Sequence, residues 1–248
     1  MLTYVAEQKI AFTNDAFGQH IASYDIFDDA HGAAKCIDRA KDYYANIVMP
    51  YGMQVANKLK QIQDMNLDID MIAPAHGIIW RSYLPELFQA YEDFATFKAV
   101  DKAVIVYESV WKHTQMMAEA LAEGMGRNGI CVKIFKCSMT SPAIIQKELL
   151  DAKAVLVGSG NYNNAMAGSI AAFLEKLITC KVKNKKGLGF GSYGWANLVT
   201  KEINARLEKA GITLLNDEVV SQNYTPSEAD LDALMELGKQ IAEEIKAM

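Results

Sequence analysis

Residues 103–114 read AVIVYESVWKHT, in which a continuous apolar run passes directly into a polar loop. The run Ala103–Tyr107 is short and rich in β-branched residues, which is typical of a strand buried on both faces of a parallel sheet. After the loop, Met117, Leu121 and Met125 recur at helical spacing. A strand, a polar loop and a helix in this order predict one unit of an α/β domain.

The same alternation continues to the end of the chain. Four more short apolar runs alternate with helical patterns, at Ile130–Phe135, Ala154–Gly158, Gly187–Gly191 and Leu214–Val220. Five strands separated by helices predict an α/β domain with a doubly wound, five-stranded parallel sheet over residues 98–248. Right-handed crossovers favour the flavodoxin-like strand order 2-1-3-4-5, although the pattern alone does not exclude other orders.

The first 97 residues have a different pattern, with few strands. One or two strands are predicted over Tyr4–Thr13, a short apolar run at Asp70–Ala73, and helices over Ile37–Met49, Met53–Met65 and Leu84–Phe94. Because so few strands cannot build a full sheet, this segment is interpreted as part of a domain. The boundary between the two parts is predicted near Thr96–Asp101.

Composition and charge narrow the class of protein. A net charge of −5 argues against a nucleic-acid surface, which needs a basic patch. No apolar run reaches the ~18 residues of a membrane-spanning helix, and the first residues lack the pattern of a signal peptide. The four cysteines form no CxxC pair, which favours a reducing, cytoplasmic location and buried thiols.

Three polar loops follow the first, third and fourth predicted strands. Ligands of a doubly wound sheet bind beyond the carboxyl ends of its strands, so loops 109–114, 159–164 and 192–197 are expected to meet. The first loop combines hydroxyl groups with a helix N-terminus, which suits a phosphate monoester such as that of FMN. Simple N-capping is the alternative interpretation of these hydroxyl groups. The other two loops offer aromatic rings and amides, which suit an isoalloxazine ring.

One further pattern competes with this interpretation. Residues 189–194 read GFGSYG and match GxGxxG, the fingerprint of dinucleotide-binding domains. The match follows the fourth strand rather than the first, and too little chain remains after it for a dinucleotide-binding sheet. A nicotinamide-dependent dehydrogenase is therefore the less favoured alternative.

The loops and two earlier segments resemble one known family. YESVWKHT (107–114), VGSGNYNN (157–164) and GFGSYGW (189–195) are similar to the flavodoxin domain of flavodiiron proteins, also called A-type flavoproteins. NDAFGQH (14–20) and PAHG (74–77) are similar to two stretches of the metallo-β-lactamase-like αββα domain of that family.

The resemblance implies a domain organisation, an activity and an FMN site. A partial metallo-β-lactamase-like domain is expected over residues 1–97 and a flavodoxin-like, FMN-binding domain over residues 98–248. The family consists of cytoplasmic oxidoreductases that reduce dioxygen or nitric oxide. By position, the residues that match its flavin loops are Ser109, Val110, Trp111, Lys112, His113, Thr114, Ser159, Gly160, Asn161, Tyr162, Asn163, Asn164, Ser192, Tyr193, Gly194 and Trp195. Ala196-Asn197 stands where the family often has Gly-Gly, so the backbone there departs from the family pattern.

The resemblance also implies metal ligands. Asp15 matches the aspartate that bridges the two irons of the family, and His76 matches its last histidine ligand. The other family ligands, a His-x-Glu-x-Asp-His motif and one further histidine, precede that aspartate and have no match here. A di-iron site is therefore expected to be incomplete in this chain, or completed by a second polypeptide that carries the missing N-terminal half.

Partners follow from the same resemblance. A homo- or hetero-oligomer with head-to-tail packing is expected, together with a rubredoxin-like or similar electron donor. The main alternative is a pure electron carrier or interaction module without its own catalytic centre. No individual catalytic residue is assigned.

Overall fold

The computed structural model describes residues 2–215 and 218–248. The chain divides into two compact units, Met1–Lys98 and Ala99–Met248. Within the described ranges, every helix is too short or too polar to cross a bilayer.

The first unit contains a small mixed sheet. Its strands are β1 (Thr3–Val5), β2 (Ile10–Asn14) and β3 (Met71–Pro74), in the order β1-β2-β3. β1 runs antiparallel to β2, whereas β2 and β3 are parallel. The carboxyl ends of β2 and β3 therefore lie side by side, at Asn14 and Pro74.

Three helices complete the first unit: α1 (Ala33–Tyr43), α2 (Gly52–Asp64) and α3 (Leu84–Ala95). The helix predicted over Ile37–Met49 begins earlier and does not stay α-helical to its end. A π-helical turn occupies Tyr44–Val48, and a 3-10 turn follows at Met49–Tyr51. Pro50 lies in that turn, and its ring removes a backbone donor, so the regular α-helix cannot continue through it.

The second unit is built on a parallel sheet. Its strands are β4 (Val100–Glu108), β5 (Cys131–Lys136), β6 (Ala152–Ser159), β7 (Lys186–Tyr193), β8 (Thr213–Leu214) and β9 (Val220–Asn223). The order is β5-β4-β6-β7-β8, with β9 also paired to β7, and every pair is parallel. The predicted doubly wound α/β fold and the order 2-1-3-4-5 are confirmed.

The fifth strand departs from the prediction. A single strand over Leu214–Val220 is wrong, because the structure has two short strands, β8 and β9, each paired with a different part of β7. Residues 216 and 217 of the predicted strand lie outside the described residues. Between the two paired parts, the N–H of Gly189 donates to Oδ1 of Asn204 at 2.7 Å, so this donor of β7 serves helix packing instead of a strand ladder.

Five α-helices of the second unit, within the described residues, alternate with the strands of this sheet. They are α4 (His113–Arg127), α5 (Pro142–Leu150), α6 (Gly168–Cys180), α7 (Val199–Lys209) and α8 (Glu228–Lys246). The central strands β4 and β6 are almost fully buried, as their continuous apolar runs predict. The polar loops lie beyond their carboxyl ends.

Candidate functional site

The loops after β4, β6 and β7 line one cavity of about 380 Å³. The lining residues are Ser109, Val110, Trp111, His113, Thr114, Gly160, Asn161, Tyr162, Ser192, Tyr193, Gly194 and Tyr224. The structure thus brings together residues from all three predicted loops. It does so because neighbouring parallel strands end at the same edge of the sheet.

The first loop leads into the N-terminus of α4. Lys112 adopts a left-handed conformation with φ of 67°, and the helix begins at the next residue, His113. The N–H groups of the first turn of a helix have no intrahelical partner. The hydroxyl oxygens of Thr114 and Ser192 lie 3.0 Å apart and join this turn to the end of β7. The arrangement places hydroxyl-bearing residues and the N-terminus of a helix at the cavity, which is the chemistry of an anion site.

The second loop forms a tight turn. The N–H of Tyr162 donates to the carbonyl of Ala165 at 2.8 Å, and the reverse bond measures 3.0 Å. Between them Asn163 and Asn164 have φ of 51° and 63°, the two positive values of a type I′ turn. The turn holds Tyr162 at the cavity wall, while the two asparagines form its tip outside the lining.

Asn161 connects the second loop to the third. Its backbone N–H donates to the carbonyl of Ser192 at 3.0 Å, and its side-chain amide donates to the carbonyl of Ala196. Within the described part of the chain, Oδ1 of Asn161 is buried and has no hydrogen-bond partner. A buried acceptor of this kind is costly unless a donor reaches it.

Five predicted flavin-site residues lie outside the cavity lining: Lys112, Ser159, Asn163, Asn164 and Trp195. Ser159 is fully buried, and its hydroxyl oxygen accepts from the N–H of Ala167 at 3.0 Å, a bond within the second loop region. Trp195 is 97% exposed, so its indole contacts little of this chain.

Sequence reasoning missed Tyr224, which lines the cavity. Its N–H donates to the carbonyl of Tyr193 at 2.8 Å, directly after the end of β9. The available signal was its position one residue beyond a strand of the same sheet. That signal was hidden because the fifth strand was predicted to end at Val220.

A buried carboxylate lies behind the first loop. Glu108 accepts from the N–H of Ser138 at 3.0 Å, from the hydroxyl of Ser169 at 3.1 Å and from the N–H of Ser109 at 3.3 Å. Burial, the largest influence, raises the pKa of Glu108, but the hydrogen bonds together outweigh burial and lower this pKa below its ordinary value. The carboxylate therefore stays ionised and links β4 to the start of α6.

The two predicted metal ligands lie together in the first unit. Nε2 of His76 is 3.4 Å from Oδ1 of Asp15, and both side chains are more than half exposed. The hydroxyl of Tyr43 donates to the same Oδ1 at 3.2 Å. Burial, followed by the charge of Asp15, raises the pKa of Tyr43 to about 12. Among residues 2–215 and 218–248, no cluster of three or more His, Cys, Asp or Glu side chains suits a metal ion.

Comparison with known proteins defines the class of protein to which this chain belongs. Residues 105–238, more than half of the chain, match the Flavodoxin family. The curated nitric oxide reductase of Moorella thermoacetica is 42% identical over 245 residues, which cover 99% of this chain and 61% of that protein.

Two solved structures extend the comparison. The rubredoxin oxygen:oxidoreductase of Desulfovibrio gigas has a TM-score of 0.96 at 32% identity, covering 100% of this chain and 62% of its own. The flavodiiron protein of Giardia intestinalis has a TM-score of 0.95 at 25% identity, covering 99% and 61% respectively. The chain belongs to the flavodiiron protein family, and it spans about three fifths of the length of these relatives.

Proposed function

We propose that residues 98–248 bind FMN in the cavity formed by loops 109–114, 159–164 and 192–197, and that the chain transfers electrons through this flavin. The observation that carries the proposal is the convergence of these three loops on one cavity of about 380 Å³, inside the stretch that matches the Flavodoxin family. When bound, FMN supplies one- and two-electron redox chemistry.

The phosphate end of FMN suits the first loop. Ser109 and Thr114, which carry hydroxyl groups, line the cavity, and α4 begins there at His113, where the first N–H groups of a helix have no partner within the helix. These groups bind an anion without a formal positive charge. The proposed role of this loop is to hold the phosphate and exclude competing cofactors that lack one.

The ring end suits the other two loops and β9. Tyr162, Tyr193 and Tyr224 supply flat apolar surface at the cavity. The edge of an isoalloxazine ring carries both an N–H donor and carbonyl acceptors. Asn161 lines this wall, and its side-chain amide is a polar partner of the kind that such an edge needs.

The metal residues fit a di-iron centre only in part. Asp15 and His76 supply two donor side chains, whereas a carboxylate-bridged pair of irons needs several His and carboxylate ligands. These residues alone therefore do not hold two irons. The first unit is proposed to be part of a metallo-β-lactamase-like domain whose remaining ligands come from outside these 248 residues, with a second polypeptide as one source.

The proposed activity is that of a flavodiiron-type oxidoreductase. The Moorella thermoacetica relative is named for nitric oxide reduction, and the Desulfovibrio gigas relative for rubredoxin and oxygen. Either gas as terminal acceptor, a rubredoxin-like donor and a head-to-tail oligomer are accordingly proposed for the assembled protein. Electron transfer without a catalytic centre of its own is the second candidate, favoured by the two-residue donor set at Asp15 and His76.

The dinucleotide alternative has a structural explanation. Gly189 and Gly191 lie inside strand β7 rather than in a strand-to-helix turn. A Cβ at Gly189 would lie 2.4 Å from Oδ1 of Asn204, and one at Gly191 would lie 2.0 Å from the carbonyl oxygen of Ser159. These glycines permit close packing within the fold, which accounts for the GxGxxG pattern without a nicotinamide cofactor.

Titration of the flavin-free chain with FMN tests the proposal. We expect quenching of FMN fluorescence with one FMN per chain, and weaker binding of riboflavin, which lacks the phosphate. NADH serves as the matched control for the dehydrogenase alternative. A chain that leaves FMN fluorescence unchanged would contradict the proposal, whereas iron analysis of the same sample separates a completed di-iron centre from a pure electron carrier.

A further inference from the structure

Asp15 and His76 follow the ends of two neighbouring parallel strands. Asn14 of β2 is in register with Pro74 of β3, and the N–H of Ala75 donates to the carbonyl of Asn14 at 2.7 Å. The strand pairing ends there. The 3.4 Å separation of the two side chains therefore depends on contacts between the turns that follow.

Gln19 makes those contacts with both its backbone and its side chain. Its N–H donates to the carbonyl of His76 at 3.2 Å, and its Oε1 accepts from the N–H of Ile78 at 2.8 Å. Its Nε2 donates to the carbonyl of Phe17 at 2.8 Å and to the carbonyl of Ile78 at 3.3 Å. The residue is 1% exposed, so its amide group interacts with protein and not with solvent.

The segment that carries His76 is shaped to receive this amide. Gly77 has φ of +87°, and a Cβ at that position would lie 2.2 Å from Oε1 of Gln19. A side chain at residue 77 would be strained by its backbone conformation and would also displace Gln19. The glycine after His76 therefore permits the close approach of the two turns.

The turn that carries Asp15 is held in an unusual conformation. Phe17 has φ of 67°, which is rare for a bulky residue. Its N–H donates to the hydroxyl of Tyr91 at 2.6 Å, and its carbonyl accepts from Nε1 of Trp80 at 2.9 Å. Such strain persists only where several contacts determine it, and it is concentrated at functional sites.

We propose that Gln19 is a positioning residue that sets the geometry of the Asp15–His76 pair by joining the turn 15–18 to the segment 76–78. An apolar side chain of equal length would leave the N–H of Ile78 unpaired in a buried place and would remove one of the two donors to the carbonyl of Phe17, the other being Nε1 of Trp80. The two turns would then separate, and Asp15 and His76 with them. The relevance to metal binding rests on the proposed function, but the geometric role does not.

The test uses the full chain without flavin or metal, so its failure is distinct from a failure of FMN or iron binding. Histidines are labelled with ¹⁵N and ¹³C, and the shift of the His76 ring signals caused by Asp15→Asn is measured with Gln19 intact and in Gln19→Met. We expect this response to fall at least about twofold in the Gln19→Met background, because coupling between two residues is lost when their separation increases. Val48→Ala, a buried truncation outside both turns, is the matched control and is expected to keep the full response.

Amide exchange gives a second readout. In Gln19→Met the N–H of Ile78 is expected to exchange about tenfold faster, the effect of one lost buried hydrogen bond, while Ile72 and Trp80, which bond each other at 2.9 Å, keep their rates. If Gln19→Met does not fold, the side-chain amide protons of Gln19 in the unsubstituted chain decide the question. Slow exchange of these protons supports the proposal. Exchange at the rate of an exposed glutamine, or an undiminished His76 response in Gln19→Met, overturns it.

Discussion

The hydroxyl oxygens of Thr114 and Ser192 lie 3.0 Å apart, although 78 residues separate them in the sequence. One belongs to the first turn of α4 and the other to the end of β7. Their contact joins a helix and a strand end that both line the cavity. Because this contact lies at the loop proposed to hold the phosphate, we expect a substitution at Thr114 to weaken binding of the phosphate of FMN rather than of its ring.

Thr114→Val replaces this hydroxyl with a methyl group of similar size. We expect FMN affinity to fall by about tenfold or more, since one hydrogen bond to a charged group is worth roughly 1.5–3 kcal/mol. Riboflavin affinity should change little, because riboflavin has no phosphate. Fluorescence titration with both ligands measures the difference, and Thr140→Val, outside the cavity lining, is the control. An equal loss for both ligands would place Thr114 at the ring instead.

Tyr224→Ala removes an aromatic wall of the cavity. We expect FMN and riboflavin affinities to fall together, by about fivefold or more, since aromatic contacts contribute roughly 0.5–1.5 kcal/mol beyond their buried area. Tyr24→Ala is the control, because Tyr24 is fully exposed in the first unit. A loss confined to FMN would show that Tyr224 acts on the phosphate.

Glu108→Gln removes the ionised carboxylate behind the first loop. Because the folded pKa of Glu108 is lowered, its charge stabilises the fold above the ordinary pKa of 4.5, and this contribution is lost as pH falls through the folded pKa. The difference in unfolding free energy between the two chains is thus expected to be largest above pH 4.5 and to shrink in acid. Urea unfolding across that range measures it. Glu208→Gln, on the exposed side of α7, is the control substitution, and a pH-independent difference at Glu108 would contradict the prediction.

Gly191→Ala tests the packing explanation of the GxGxxG pattern. Its Cβ would lie 2.0 Å from the carbonyl oxygen of Ser159, so we expect destabilisation by about 1–3 kcal/mol. Gly126→Ala is a matched control in α4 with open space around its Cβ, and it should stabilise the chain by about 0.5–1 kcal/mol. Thermal unfolding of both variants shows whether each substitution raises or lowers the stability. A Gly191→Ala variant with unchanged stability would contradict the packing explanation of the GxGxxG pattern.

The strands illustrate which features a pattern can predict. β4 and β6 are buried on both faces, so their apolar runs are continuous and mark them clearly. The predicted strand Leu214–Val220 is interrupted by three polar residues, Asn216, Asp217 and Glu218, and its two end residues belong to two different short strands. Pairing with β7 decides that outcome, and a pattern within one segment contains no information about its partner.

The cavity also combines features that the sequence predicted with features that it did not. Its three loops were predictable, because the ends of parallel strands share one edge. Their individual contributions were not, since the type I′ turn at Asn163 and Asn164 keeps both side chains out of the lining while β9 brings Tyr224 into it. Whether the five predicted residues outside the lining contact a bound flavin stays a prediction.

The sequence by itself determined the α/β class and the three polar loops at the strand ends, because apolar periodicity and strand-end chemistry are local properties of the chain; it favoured the observed strand order without excluding others. Only the tertiary structure decided that Gln19 joins the turns bearing Asp15 and His76, that Oδ1 of Asn161 has no hydrogen-bond partner among the described residues, and that Thr114 meets Ser192. Each of these depends on distances between segments far apart in the chain. Such distances are set by the packing of strands and helices against one another, which no local pattern encodes.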